Sequence, residues 1–316
     1  MASTAVILTC IHVVSWTLST SASSSLQFDH EAFTVRRLRQ LTQQIPTENI
    51  LQLATSLGET ELVTYLNRTG LATSVSDSAL VTVFGPTNAA FDTASVAVRS
   101  MLVHSPATAH AIMAYHIVDG RFQSSDFVNE QLLKTKLGLN VRINVYPSTN
   151  VITASGRPIQ VADKAATNGI LHELSAVMLP PGGAIPKVLS EVPDLSILLS
   201  VVKAAGMTDQ LSAVGPFTLF APTNHAFHSL PAGELSQLFK NTTRLREVLS
   251  HHIAKGTTYS AGLQPQMTIP VLNGALSLVN EGSMVNINNA SSIIFADLNA
   301  SNGVIHLIDS VLFLTQ

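Results

Sequence analysis

Two stretches decide the fold: VTVFGPTNAAF, Val81–Phe91, and FTLFAPTNHAF, Phe217–Phe227, set 136 residues apart. Tyr115-His116 recurs as His251-His252 at the same interval, and NGILHELSAVML from Asn168 recurs as NGVIHLIDSVLF from Asn302 at an interval of 134. Three blocks repeated in one order at nearly one spacing mark an internal duplication. Pro180-Pro181-Gly182-Gly183, a cluster of breakers, lies between the copies and reads as the linker. The length agrees, since 316 residues make two domains of the common size of about 100–150 residues.

Within each copy the pattern predicts helices first and strands later. Ile50, Leu53, Ala54 and Leu57, and likewise Leu195, Leu198, Leu199 and Val202, fall at the spacing of one helical stripe. Gly58 and Gly206 follow as C-caps, and Thr60 and Thr208 as N-caps of a second short helix. Thr60 and Thr208 are 148 residues apart, so the first copy is expected to hold an inserted, exposed loop over roughly 67–80. Strands follow at Val81–Phe84 and Phe217–Phe220. Pro86 and Pro222 then fix φ ahead of Thr87-Asn88 and Thr223-Asn224, whose side chains can cap the next helix, and Phe91 and Phe227 turn into the core.

Ala109, Ile112, Met113 and His116 share a helical stripe, as do Leu245, Val248, Leu249 and His252, so each histidine reads as a hydrogen-bonded core residue. Ser105-Pro106 and Asn241-Thr242 open these helices as N-cap and first residue. Val141–Val145, Val151–Thr153 and Val285–Ile287 alternate like half-buried strands. Gly169 and Gly303 are expected at positive φ, returning the chain into a strand on which His172 and His306 face away from Leu171 and Ile305. Helices early and strands late give an α+β class, with a first domain over 45–180 and a second over 184–316.

Composition narrows the function. The chain is 46% hydrophobic and 12% charged, with a formal net charge of −3. That aliphatic content excludes disorder, and the balanced charge excludes a nucleic-acid partner, which needs a basic stripe. Ala5 to Leu18 form an apolar run followed by STSASSS, the pattern of a signal peptide over residues 1–22 cleaved after Ala22. The run is shorter than the ~20 residues of a membrane span, so no transmembrane segment is expected. Cys10, the single cysteine, lies within it, and a mature chain without disulfides would rest on core packing. Four sequons, at Asn67, Asn241, Asn289 and Asn299, agree with export as a glycoprotein to the extracellular region, matrix or cell wall. VLFLTQ ends the sequence without the apolar tail of a lipid-anchor signal.

Catalytic signatures are missing: no G-x-S-x-G, no G-x-x-x-x-G-K-[ST] and no H-E-x-x-H occurs. His225 and His228, one helical turn apart with His251 or His252 as a third ligand, are the best metal candidate, but the first copy has Ala89 and Asp92 there. No enzyme activity, metal or cofactor is therefore assigned, and the oligomeric state is left open.

The Pro-Thr-Asn block, the Tyr-His block and the Asn-Gly-x-x-His block, present twice in order, resemble the signatures of the fasciclin-type (FAS1, beta-ig-h3) domain family. The resemblance covers nearly the whole chain after about residue 45. It implies two tandem domains, each a β-sandwich wedge flanked by helices, and a non-catalytic role in cell adhesion, matrix or cell-wall interaction. Pro86, Thr87, Asn88, Asn168, Gly169 and His172, with Pro222, Thr223, Asn224, Asn302, Gly303 and His306, would maintain the fold. Asp309 matches an acidic position of the family, where the first copy has Ser175. The resemblance further implies partner contact at Tyr115-His116, altered to His251-His252 in the second copy, and at Asp297-Leu298, which reads Asp163-Lys164 in the first. The alternative for these residues is a fold-maintaining dipeptide and a turn-capping Asp. The alternative for the whole chain is a glycan- or small-ligand-binding module, although only 5% of residues are aromatic and Trp16 falls in the expected signal.

Overall fold

The structure, a computed structural model, describes residues 45–76, 80–282 and 284–313. The expected signal peptide, with Cys10 and Trp16, lies outside them. Residues 48–316 gather into one unit.

The first domain runs α1 (Ile50–Ser56), α2 (Thr60–Arg68), α3 (Ala72–Ser76), β1 (Val81–Pro86), α4 (Asn88–Asp92), α5 (Val96–His104), α6 (Pro106–Tyr115) and β2 (Ile117–Asp119). β3 (Gln131–Lys134), β4 (Asn140–Tyr146), β5 (Val151–Ala154), β6 (Arg157–Ala166) and β7 (Gly169–Leu174) complete it. The second repeats the plan with α7 (Ile185–Glu191), α8 (Ser196–Ala204), α9 (Thr208–Ser212), β8 (Phe217–Pro222), α10 (Asn224–His228), α11 (Glu234–Lys240), α12 (Thr242–His251) and β9 (Ile253–Lys255). Its remaining strands are β10 (Gln266–Pro270), β11 (Ala275–Asn280), β12 (Val285–Ile287), β13 (Ser291–Ala300) and β14 (Gly303–Ile308).

Each domain is built on seven strands, in the order β2-β1-β7-β6-β5-β4-β3 and β9-β8-β14-β13-β12-β11-β10. All neighbours are antiparallel except β1 with β7 and β8 with β14, which run parallel. The two ends of each sheet meet again at the bridges Val118↔Thr135 and Ala254↔Val271. The wedge is thus a single sheet curled over on itself. Alternation along β1 separates two cores: Val81 and Val83 pack with the helices beside Ile50, Leu62 and Ile112, while Phe84 enters the fold of the sheet with Val141, Ile143 and Leu174. Burial on both faces explains why all six residues of β1 are buried.

The polar residues of the repeated blocks fasten the helices to this sheet. Thr87 and Thr223 cap α4 and α10 by accepting from the amides of Ala90 and Ala226 at 3.2 and 3.3 Å. Asn88 reaches back to the start of α2, accepting from the Glu61 amide at 3.0 Å and donating to the Gly58 carbonyl at 2.8 Å. Asn224 does the same for α8, with the Ile197 amide at 2.9 Å and the Pro193 carbonyl at 3.1 Å. Asn168 accepts from the Ile50 amide at 2.9 Å and donates to the Val75 carbonyl, and Asn302 accepts from the Ile185 amide at 3.0 Å. Ser105 and Asn241 cap α6 and α12 as expected.

These bonds correct the alignment of the helices. α1 corresponds to α7 and α2 to α8, so the partner of Thr60 is Ser196, and Thr208 opens α9, the partner of α3. The interval is 136 residues here too. Thr60 and Thr208 are first helical residues behind Glu59 and Met207, neither of which makes a side-chain cap. The stretch expected as an inserted loop instead carries the end of α2 and α3, with Leu71 and Val75 in the core.

Gly169 and Gly303 are needed for a different reason from the one expected. Gly303 is not at positive φ, and Gly169 at 159° is close to fully extended. A Cβ on Gly169 would stand 1.8 Å from the Val81 carbonyl oxygen, and one on Gly303 2.1 Å from that of Phe217. The parallel neighbour occupies the space, and backbone cannot yield as a side-chain tip can. Gly169→Ala is expected to lose more than about 4 kcal/mol, read as a collapse of the first domain's thermal transition. A transition within a few degrees of the parent would show that β1 and β7 can separate at this point.

Candidate functional site

Both repeated histidine blocks lie inside the protein. His116 and His252 end α6 and α12. Each donates Nδ1–H back to its own helix, to the Ile112 carbonyl and the Val248 carbonyl, both at 2.7 Å. Each Nε2 accepts the amide of a residue after the last strand, Met178 or Leu312, at 3.0 Å. The ring is therefore neutral by construction, one nitrogen a donor and the other an acceptor, and it ties helix end to domain end. Tyr115 donates to the Asn140 carbonyl at 2.9 Å and meets the Ser155 hydroxyl, and burial pushes its phenol up to about 12. His251, in the matching place, donates from Nδ1 to the Asn273 carbonyl at 2.8 Å.

His172 and His306 form a second repeated device. A bulge in β6 and in β13 carries Asp163 and Asp297 at φ of 62° and 63°. Their amides donate to Nδ1 of His172 and His306 at 3.2 and 3.3 Å, and each Nε2–H donates onward to the Phe122 or Thr258 carbonyl. Asp163 accepts from the amide and hydroxyl of Ser124, and Asp297 from those of Ser260. The imidazoles lie stacked on Phe84 and Phe220. Asp309 accepts from Ser291 and Ser292.

The residues expected at a partner contact are turned inward. Tyr115, His116, His251, His252 and Asp297 are all buried, and Leu298 packs on the helical core. The polar side-chain atoms of Tyr115, His116, His252 and Asp297 bond within the fold, whereas Nε2 of His251 is buried without a partner. His225 and His228 are exposed while His251 and His252 are interior, which separates the metal candidate into two places. Among the described residues no group of three His, Cys, Asp or Glu is placed to hold a metal ion, and no helix is long and apolar enough to cross a membrane. Of the sequon residues, Asn67, Asn241 and Asn289 are exposed and Asn299 is half-buried.

What does face outward is different. Met284, Ile294 and Phe295 are 50%, 56% and 56% exposed. Ile294 and Phe295 stand on the bulge of β13, and the β12–β13 register, carried on, sets Met284 opposite Ile294. The first domain has Gln160 and Val161 at the places of Ile294 and Phe295.

A seam joins the two domains. The β4–β5 hairpin of the first holds the segment 257–264 of the second. Glu130, at a φ of 65°, pairs with Arg142 at 2.8 Å and accepts from the amide and hydroxyl of Thr257, both at 2.7 Å. Asn144 donates to the Thr257 hydroxyl at 2.9 Å. The Tyr259 amide donates to the Tyr146 hydroxyl at 3.0 Å. Each tyrosine covers a glycine of the other domain, since a Cβ on Gly262 would sit 2.2 Å from the Tyr146 ring and one on Gly156 2.3 Å from the Tyr259 ring. Tyr259 donates to Asn299 at 3.0 Å, and Asn299 donates to the Ser155 carbonyl at 3.2 Å. Burial raises both phenols.

The buried imidazoles make stability depend on pH. Burial pushes His116 and His252 down to about 4, against the opposing hydrogen bonds to Ile112 and Val248, and lowers His172 and His306 as well. Unfolded histidine titrates near 6.5, above these folded values. The unfolded chain then binds more protons between pH 4 and 6.5, so the contribution is complete above pH 6.5 and is lost as pH falls toward 4. His116 and His252 should each account for up to about 3 kcal/mol of that loss. Urea midpoints measured from pH 7 to 4 should fall over this window. His252→Ala should unfold more easily at pH 7 and show a shallower fall, and an unchanged slope would remove His252 from the linkage.

With this geometry in hand, known proteins give a consistent comparison. A family model of the fasciclin domain matches residues 58–180 and again 193–314. Transforming growth factor-beta-induced protein ig-h3 of Sus scrofa is 31% identical over 202 residues, which are 64% of this chain and 29% of that relative. Protein sll1483 of Synechocystis is 42% identical over 119 residues, 37% of this chain and 66% of that relative. A solved FAS1 domain pair from the insect cell adhesion molecule fasciclin I aligns with 79% of this chain and 92% of its own, at 20% identity and a TM-score of 0.40. The chain spans between 29% and 38% of the length of the ig-h3 and periostin relatives that it matches. Both copies are matched, each over nearly all of its length, and the chain belongs to the fasciclin domain family.

Proposed function

We propose that the chain is an exported, non-catalytic adhesion protein whose two fasciclin domains, docked as one body, contact cell-surface, matrix or cell-wall components. The seam is the observation that carries this reading. Glu130, Asn144, Tyr146 and Ser155 of the first domain all bond across it, so the outer faces of the two domains keep a fixed spacing. Two weak contacts on a body already ordered act together without a further cost in ordering, the condition for effective multivalent attachment. Family membership supports the adhesive role, and the internal bonding of the histidine blocks leaves that role to the outer surface. Met284, Ile294 and Phe295 are the apolar side chains through which the second domain would take part.

A second reading, a small-ligand module, is favoured by one feature. A groove of about 490 Å³ lies beside the closure of the first domain's sheet, lined by Val118, Phe122, Leu132, Leu133, Lys134 and Lys136, within the size range of ligand sites. Cells plated on surfaces coated with the full chain separate the two. Adhesion should occur and should drop several-fold in Ile294→Ser/Phe295→Ser, with the thermal transition unchanged. A well-folded coat that holds no cells, together with saturable ligand binding abolished by Leu132→Asp, would replace the adhesive reading with the second.

A further inference from the structure

Asn299 belongs to a sequon, Asn299-Ala300-Ser301, yet its amide is already committed. The carbonyl oxygen accepts from the Tyr259 hydroxyl at 3.0 Å, and the amide nitrogen, the atom that carries a glycan, donates to the Ser155 carbonyl of the other domain at 3.2 Å. Around it Tyr115, Arg142, Pro181 and Tyr259 enclose a cavity of about 10 Å³, room for one water and far too little for a sugar ring. The other acceptors differ. Asn67 lies on the exposed surface of α2 and Asn289 in an exposed turn, while Asn241 caps α12 through its carbonyl oxygen rather than its nitrogen.

We propose that Asn299 is a lock between the domains rather than a glycan acceptor, and that a glycan at Asn299 and the docked pair exclude each other. A sugar on this nitrogen must displace either the Ser155 carbonyl or the ring of Tyr259, and each of these is part of the seam. The other three sequons are then the sites of modification. This rests on the proposed export, because the glycan is added only on that route.

The test uses the full chain with an added leader of known function, expressed in a glycosylating secretory host. Export is thereby supplied, and release of the chain without the added leader tests the export reading separately. Glycopeptide mapping should find Asn67, Asn241 and Asn289 occupied and Asn299 bare. Amide exchange at Thr257 and Tyr259, whose N–H groups donate to Glu130 and Tyr146 across the seam, reports docking and should be slow. Gly262→Val drives a side chain into the Tyr146 ring without touching the sequon. It should speed exchange at both amides and raise occupancy of Asn299 at least several-fold. Asn299 occupied in molecules that retain slow exchange would overturn the proposal. So would an open seam in the Gly262→Val chain with Asn299 still bare, since the lock would then not be what protects it.

Discussion

Everything in each domain hangs on one close approach, the parallel pairing of its first strand with its last. Val81 to Pro86 run beside Gly169 to Leu174, and Phe217 to Pro222 beside Gly303 to Ile308. Two strands separated by most of the domain thus become neighbours, which needs a long crossover, and both lie inside the sheet beside its short edge strand. The glycines admit the neighbouring carbonyl, and the asparagines ahead of them hold the first helix by its amide. From that join the sheet curls until its edges touch, the helices cover one side, and His116 or His252 fastens the last turn of a helix to the chain leaving the sheet.

Much of this can be read before any coordinates, because the duplication exposes it. Residues kept in both copies are those that the architecture requires: the prolines and threonines ahead of α4 and α10, the Asn-Gly pairs, and the histidines. What failed was local. Ile50–Leu57 and Leu195–Val202 carry the same apolar spacing, and an amphipathic stripe cannot say which of several neighbouring helices it belongs to. The long-range bonds of Asn88 and Asn224 identify α2 with α8. The role of Gly169 and Gly303 was misread for a related reason. A glycine after asparagine suggests a turn, while the crowding carbonyl comes from a strand nearly ninety residues earlier.

The seam was illegible for the opposite reason. Subtraction finds what the copies share, and the seam is made of what they do not. Tyr146 and Tyr259 stand where the other copy has Glu281 and Gln123, and Glu130 stands where it has Gln266. Nothing in the spacing of a lone tyrosine says that a glycine of another domain will lie under it. The outward pair Ile294-Phe295 was hidden similarly, since an apolar dipeptide inside a strand reads as core until the bulge turns it out.

That difference between the copies also sets a limit on assembly. The contact is heterologous, hairpin of one domain to loop of the next, and a contact of this kind extends into an open fibre whenever every unit owns both halves. Here the halves are divided. The second domain's hairpin has Val279 and Glu281 in place of Asn144 and Tyr146, and the first domain's loop has Arg121 and Gln123 in place of Thr257 and Tyr259. A second copy of the chain therefore does not meet, at these positions of either domain's free half, the groups that make the seam.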